Sequence, residues 1–168
     1  MNDDKWKELL ELDPNLCFLT KKNILYPTIK QQLAAVKQYG RSICFIRDPS
    51  LEVQLAAVKQ DGYNICYIRD PNLEAQLAAV KQDGTSICYI RDPNLEVQLA
   101  AVKQYGNSIQ YIRNPCLEVQ LAAVKQDGNS IQFIRDPHAE VIRYYLSKCG
   151  DEVAKLLSDP VYDLKEEP

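Results

Sequence analysis

A block reading Leu-Glu-Val-Gln-Leu-Ala-Ala-Val-Lys-Gln-Asp-Gly, followed by Ile-x-Tyr/Phe-Ile-Arg-Asp-Pro, returns at a fixed interval of 22 residues, with copies starting at Ile29, Leu51, Leu73, Leu95 and Leu117. A unit this short cannot enclose a core of its own. It must bury its apolar side chains against its neighbours, so a fixed short period makes the chain a stacked array with a one-dimensional core. The expected fold is all-α: an α-solenoid of 22-residue repeats, each a helix, a turn and a short second helix, α or 3₁₀, closed by modified end caps.

Within a copy, the pairs Asp48-Pro49, Asp70-Pro71, Asp92-Pro93, Asn114-Pro115 and Asp136-Pro137 read as an N-cap acceptor followed by a first helical residue. The long helix then runs from about Pro49 to Gln60, and Gly62 stands where a left-handed C-terminal residue is wanted; Gly40, Gly84, Gly106 and Gly128 repeat that stop. Ser42, Asn64, Ser86, Ser108 and Ser130 are placed to cap a second segment of about six residues that ends at the arginine, short enough to be 3₁₀.

At 100° per residue Leu51, Leu55 and Val58 make one apolar stripe and Val53 and Ala57 another, leaving Glu52, Ala56 and Lys59 toward solvent. The first stripe is expected against Ile65 and Ile68 of its own copy, the second against the next copy. Gln32, Gln54, Gln76, Gln98 and Gln120 fall between the stripes and are expected to link neighbouring repeats through amide hydrogen bonds. The five copies, 29–138, form the array. Residues 1–28 read as an N-terminal cap with a half-repeat (Trp6, Leu9 and Leu10 at helical spacing), 139–160 as a degenerate C-terminal capping repeat, and 161–168 as a solvated tail.

Near-identity of the copies lets the differing positions be read directly. They fall before the glycine (Tyr39, Asp61, Asp83, Tyr105, Asp127), after it (Arg41, Tyr63, Thr85, Asn107, Asn129), in the short segment (Cys44, Cys66, Cys88, Gln110, Gln132) and after the proline (Ser50, Asn72, Asn94, Cys116, His138). Such positions either tune recognition or drift at exposed turns. Among invariant polar positions, Lys37, Lys59, Lys81, Lys103 and Lys125 make a row, but Glu52, Glu74, Glu96 and Glu118 project the same way and imply a mixed, solvated face. The stronger candidate surface is Arg47, Arg69, Arg91, Arg113 and Arg135 beside Phe45, Tyr67, Tyr89, Tyr111 and Phe133, because arginine next to aromatic faces suits both protein hot spots and single-stranded nucleic acid. The plain alternative is that the aromatics fill the core and each arginine pairs with a helix end or an acid. The candidate partner-binding set is therefore those five arginines with Tyr39, Arg41, Tyr63 and Tyr105.

A formal net charge of −3 announces neither a polyanion-seeking protein nor a nucleic-acid mimic, and the apolar runs are too short to cross a bilayer. The N-terminus has no basic region followed by an apolar one, so a cytoplasmic location, in a bacterium or an infected cell, is expected. Cys44, Cys66 and Cys88 are equivalent in successive copies; at a helix-stacking distance of about 10 Å they can neither pair in order nor share one zinc, and are expected to be reduced packing residues. With a single histidine, His138, and no glycine-rich phosphate loop, nothing supports catalysis, a cofactor or a metal.

The Asp-Pro-x-x-Glu-Val, Ala-Val and Gly pattern resembles HEAT-type repeats and, in its shortness, the leucine-rich variant repeat, in which an α-helix alternates with a 3₁₀ helix. The wording Glu-Val-Gln-Leu-Ala-Ala-Val-Lys-Gln-Asp-Gly, across residues 29–138, is similar to a repeat family of unknown function found in bacterial, phage and giant-virus proteins. This resemblance implies a right-handed α-solenoid without catalysis and carries over no ligand or site residue. The expected function is a non-enzymatic protein-binding scaffold, with a phage or viral adaptor or inhibitor of a host protein or defence system as a special case. The alternatives are a single-stranded nucleic-acid binder using the lysine or arginine ladder and a structural, self-assembling module.

Overall fold

The computed structural model describes residues 28–149; the N-terminal half-repeat and the end of the capping repeat with its tail, both expected from the sequence, lie outside them. Ten-residue α-helices alternate with six-residue 3₁₀ helices: α1 (Ile29–Gln38), η1 (Gly40–Phe45), α2 (Leu51–Gln60), η2 (Gly62–Tyr67), α3 (Leu73–Gln82), η3 (Gly84–Tyr89), α4 (Leu95–Gln104), η4 (Gly106–Tyr111), α5 (Leu117–Gln126) and η5 (Gly128–Phe133), closed by α6 (Ala139–Cys149). Among the described residues there is no strand. Each α-helix packs on the next α-helix and each 3₁₀ helix on the next 3₁₀ helix, giving two parallel stacks and the expected all-α solenoid. No helix among the described residues is long and apolar enough to cross a membrane.

The α-helices form from strong helix formers, with a glutamate in the first turn of α2 to α5 and a lysine in the last turn, each favourable to the helix dipole. They begin two residues later than the Asp-Pro pairs suggest. The N-cap is the residue after the proline: Asn72 Oδ1 accepts the Glu74 N–H at 3.0 Å, and Asn94 Oδ1 accepts that of Val97 at 2.9 Å. The reason lies in the proline carbonyl, which a helix starting at the proline would consume. Pro71 O instead accepts Gln76 Nε2 at 2.8 Å. His138 plays the same part for α6, its Nδ1 accepting from Glu140 N at 3.3 Å. The position after the proline, variable between copies, is thus the helix N-cap, with a capping side-chain hydrogen bond from Asn72, Asn94 and His138 but not from Ser50 or Cys116.

The second segment is 3₁₀ throughout and ends at the aromatic residue, not at the arginine. Its N-cap is the residue before the glycine; the carboxylates of Asp61, Asp83 and Asp127 accept the N–H two residues on at 2.8–2.9 Å. The serines and Asn64 are not caps. They sit buried inside the segment.

Val53, Ala57 and Val58 are fully buried with Ile65, and their equivalents continue one core from Val36 to Val141. The buried arc of α2 spans roughly 140°, from Val53 through Gln54 to Val58. Leu51 and Leu55 therefore lie at its margin, half-buried, and do not form the inward stripe expected of them; Leu73 and Leu95 are exposed.

Gln54 bridges junctions as the sequence suggests, but amide to backbone. Its Nε2 donates to Pro49 O at 3.0 Å, and its Oε1 accepts the N–H of Asn72 in the next repeat at 2.9 Å. Gln120 repeats this with Pro115 O at 2.9 Å and His138 N at 2.9 Å. Gln76 and Gln98 hold only their own proline carbonyls, and at those two junctions the residue before the proline turns left-handed, Asp92 at φ 50° and Asn114 at φ 52°.

None of the five glycines among the described residues is left-handed. They are required by approach of the next repeat. A Cβ on Gly84 would lie 2.6 Å from Ala101 O and 2.8 Å from Ser108 Oγ, and one on Gly106 2.7 Å from Ala123 O. Gly128, whose neighbour is the capping helix α6, would meet only the Tyr145 ring at 3.7 Å.

Candidate binding face

The 3₁₀ stack and the turn after it carry the candidate side chains. Because the core takes Ile65 and Ile68 from η2 and its turn, the residues between and beyond them turn outward: Cys66, Tyr67 and Arg69 in that repeat, and their equivalents elsewhere. Tyr89, Tyr111 and Phe133 are exposed by 45, 46 and 38%, while Phe45 and Tyr67 are half-buried. Three of the five aromatics therefore stay outside the core, while Tyr67 packs against its edge. All five arginines of the row are exposed, and among the described residues the one ion pair is Arg47 Nε to Asp48 Oδ2 at 4.0 Å, with both side chains almost fully in solvent. Such a pair holds little energy in water.

The structure gathers part of the variable set onto this face. Tyr63 meets Tyr67 edge-on with ring centroids 5.8 Å apart and Tyr89 of the next repeat at 5.0 Å, and the Arg41 guanidinium lies 5.3 Å from the centre of the Tyr67 ring. Arg41, Tyr63, Tyr67 and Tyr89 thus form one edge-packed patch across three repeats. Tyr39 and Tyr105 stand apart, at the start of η1 and η4; both are exposed and neither makes a ring contact among the described residues.

The cysteine row borders the patch. All three are free, as expected of unpaired thiols, but Cys44 and Cys88 are exposed and Cys66 only half-buried, so the packing role the sequence suggested does not hold. Partial burial still pushes the Cys44 and Cys88 thiols up. Desolvation also raises the Tyr67 and Tyr89 hydroxyls, and Tyr63 is raised chiefly by the neighbouring Cys66 thiol. Tyr63, Tyr67 and Tyr89 thus present neutral hydroxyls and ring edges beside the Arg41 guanidinium.

The lysine row is of another kind. Lys103, Glu118 and Lys125 line one shallow groove with Leu99 and Leu121, so the charges of that side are mixed over apolar seams between α-helices. Among the described residues no cluster of three or more histidine, cysteine or acidic groups could hold a metal ion.

A second glutamine ladder went unnoticed in the sequence. Gln60 Oε1 accepts the N–H of Gly40 in the preceding repeat at 2.8 Å, and Gln104 and Gln126 do the same for Gly84 and Gly106 at 2.6 Å each. Gln60 Nε2 also donates to Lys37 O, which ties off an open carbonyl at the end of α1. The available signal was the invariant Lys-Gln preceding every turn. These clamps fix the spacing at which the arginines and aromatics are displayed.

Comparison of the chain with protein-family models, with curated proteins and with solved structures finds no match.

Proposed function

We propose that this chain is a non-enzymatic scaffold that binds a protein partner through the arginine–aromatic face of its 3₁₀ stack. The observation that carries the reading is the exposure of that face. Five arginines and three aromatics stand in solvent at repeat spacing, on a frame clamped by inter-repeat glutamine bonds and close-packed glycines, and the row has no ion pair among the described residues beyond the weak Arg47–Asp48 contact. Arginine and tyrosine supply large contact area and directional hydrogen bonds at modest entropic cost, which is why they dominate protein hot spots. A rigid display lowers the ordering cost of binding.

Single-stranded nucleic acid is the second reading, favoured by stacking-competent rings beside guanidinium groups. Against it, Asp48, Asp70, Asp92 and Asp136 recur directly after four of the five arginines. A repeated carboxylate repels a phosphate backbone.

The test is capture of partners from lysate of the native host, with nuclease, by the wild-type chain and by the Arg69→Glu, Arg91→Glu, Arg113→Glu variant. A near-stoichiometric protein that the variant loses, at unchanged melting temperature, is expected. Capture equal for both chains excludes this face, and capture abolished by nuclease moves the function to nucleic acid.

A further inference from the structure

The arginine face is not uniform along the array. Each arginine of the row is followed by an aspartate except Arg113, which is followed by Asn114. Between the fourth and fifth repeats, at that exception, lies an open cleft of about 730 Å³ lined by Tyr111, Arg113, Asn114, Phe133, Arg135 and Asp136. Two guanidiniums here stand against one carboxylate, an excess shared with the Arg91–Arg113 interval, whereas the intervals marked by Arg47 and Arg69 and by Arg69 and Arg91 each carry two aspartates and are balanced. Gln110, also on the wall, places an amide where Cys44, Cys66 and Cys88 place thiols; an amide both donates and accepts. The floor is fixed, because the Gln120 side chain lining it is already bonded to Pro115 O and to His138 N.

We propose that this cleft is the principal subsite of the binding face, and that it takes an acidic side chain of an extended partner peptide with an adjacent aromatic or aliphatic side chain laid on Tyr111 and Phe133. The inference rests on the protein-binding reading above and names its ligand chemistry. A carboxylate suits a guanidinium fork bidentately, and loss of one aspartate removes the like charge that would oppose it. The two exposed rings offer an apolar surface beside the charge. A peptide fits better than a nucleic-acid strand: the excess is a single positive charge with Asp136 still present, enough for one carboxylate but a poor match to a phosphate at every nucleotide.

The charge can be restored without disturbing the turn. Asp92 already occupies, at φ 50°, the backbone conformation that Asn114 holds at φ 52°. Asn114→Asp therefore changes charge at constant shape.

The probes are three fluorescent pools: ten-residue peptides with Glu at two positions flanking a Trp or Leu, the same peptides with Gln for Glu, and ten-residue oligothymidylate, each titrated by anisotropy into the whole chain. The expected result is saturable binding of the Glu pool, at least tenfold weaker binding of the Gln pool and of oligothymidylate, and a further tenfold loss for the Glu pool with Asn114→Asp and with Arg113→Gln, Arg135→Gln, at unchanged melting temperature. Absent binding of the Glu pool, equal binding of the Gln pool, or preference for oligothymidylate overturns the proposal. If Asn114→Asp binds as wild type while the Arg69, Arg91, Arg113 charge reversal abolishes partner capture, the subsite is wrong and the binding face stands.

Discussion

Gln126 Oε1 accepts the backbone N–H of Gly106 across the junction between two repeats at 2.6 Å, and the same glycine has no room for a Cβ because Ala123 O would lie 2.7 Å from it. Small residue and amide work together: the glycine lets the next helix end come close, and the glutamine satisfies the N–H that the approach would otherwise leave without water. Gly128, which faces the capping helix, has no such neighbour. Gly106→Ala is therefore expected to destabilise the chain by about 1–3 kcal/mol, the range for overpacking a tight contact, and Gly128→Ala to cost far less. Urea denaturation of the two variants checks this, and equal effects would show that the glycines are kept for another reason.

Gln120 makes a comparable contrast in the other ladder. It is buried, at 7% exposure, and serves Pro115 O and His138 N together. Gln120→Leu removes the partner of both part-buried groups and should cost roughly 1–3 kcal/mol, at about 0.5–1.5 kcal/mol for each hydrogen bond lost. Lys103→Leu, on the exposed side of α4, should change stability little. Paired denaturation curves decide.

The left-handed residues predict a sign change. Asp92→Gly and Asn114→Gly relieve a positive φ and should each leave stability unchanged or raise it by up to about 1 kcal/mol. Asp70→Gly, at a junction without positive φ, gains nothing and should lower stability by about 0.5–1 kcal/mol through the freer unfolded chain. Thermal melts of the three variants provide the comparison.

Cys44, Cys88, Tyr63, Tyr67 and Tyr89 all hold their protons more tightly in the folded chain than free groups do. The unfolded chain thus ionises first as pH rises, so the stability these groups lend is complete below the free thiol pKa of about 8.5 and is lost progressively above it, through the free tyrosine pKa of about 10. Melting temperature should be flat in this respect from pH 7 to 8 and fall between pH 8.5 and 11. Iodoacetamide should also label Cys44 and Cys88 more slowly at pH 8 than it labels free cysteine.

The period of the copies made the stacked α-solenoid legible, because any short unit with two apolar faces must stack. The buried glutamine between the stripes was legible for the same reason. The Asp-Pro pair misled: its chemistry fits a helix start, and only the demand of Gln76 for the Pro71 carbonyl moves the start to Asn72. The glycines suggested left-handed stops, a local property, whereas their reason is contact with a residue 17 positions on, as for Gly106 and Ala123, which depends on a stacking distance no single copy contains. Exposure of Tyr89 and Tyr111 was open in the sequence, since an aromatic beside two isoleucines can face either way on a 3₁₀ segment. The core takes Ile87 and Ile90 and leaves the ring outside.

Hydrogen–deuterium exchange of the chain with and without its captured partner tests most directly whether the arginine–aromatic face is the one that binds. Slowed exchange is expected in residues 67–70, 89–92 and 111–114, with the last the most protected, and little change in the solvent side of helices α2 to α5. Protection confined to those helices, along the lysine and glutamate rows, would contradict it.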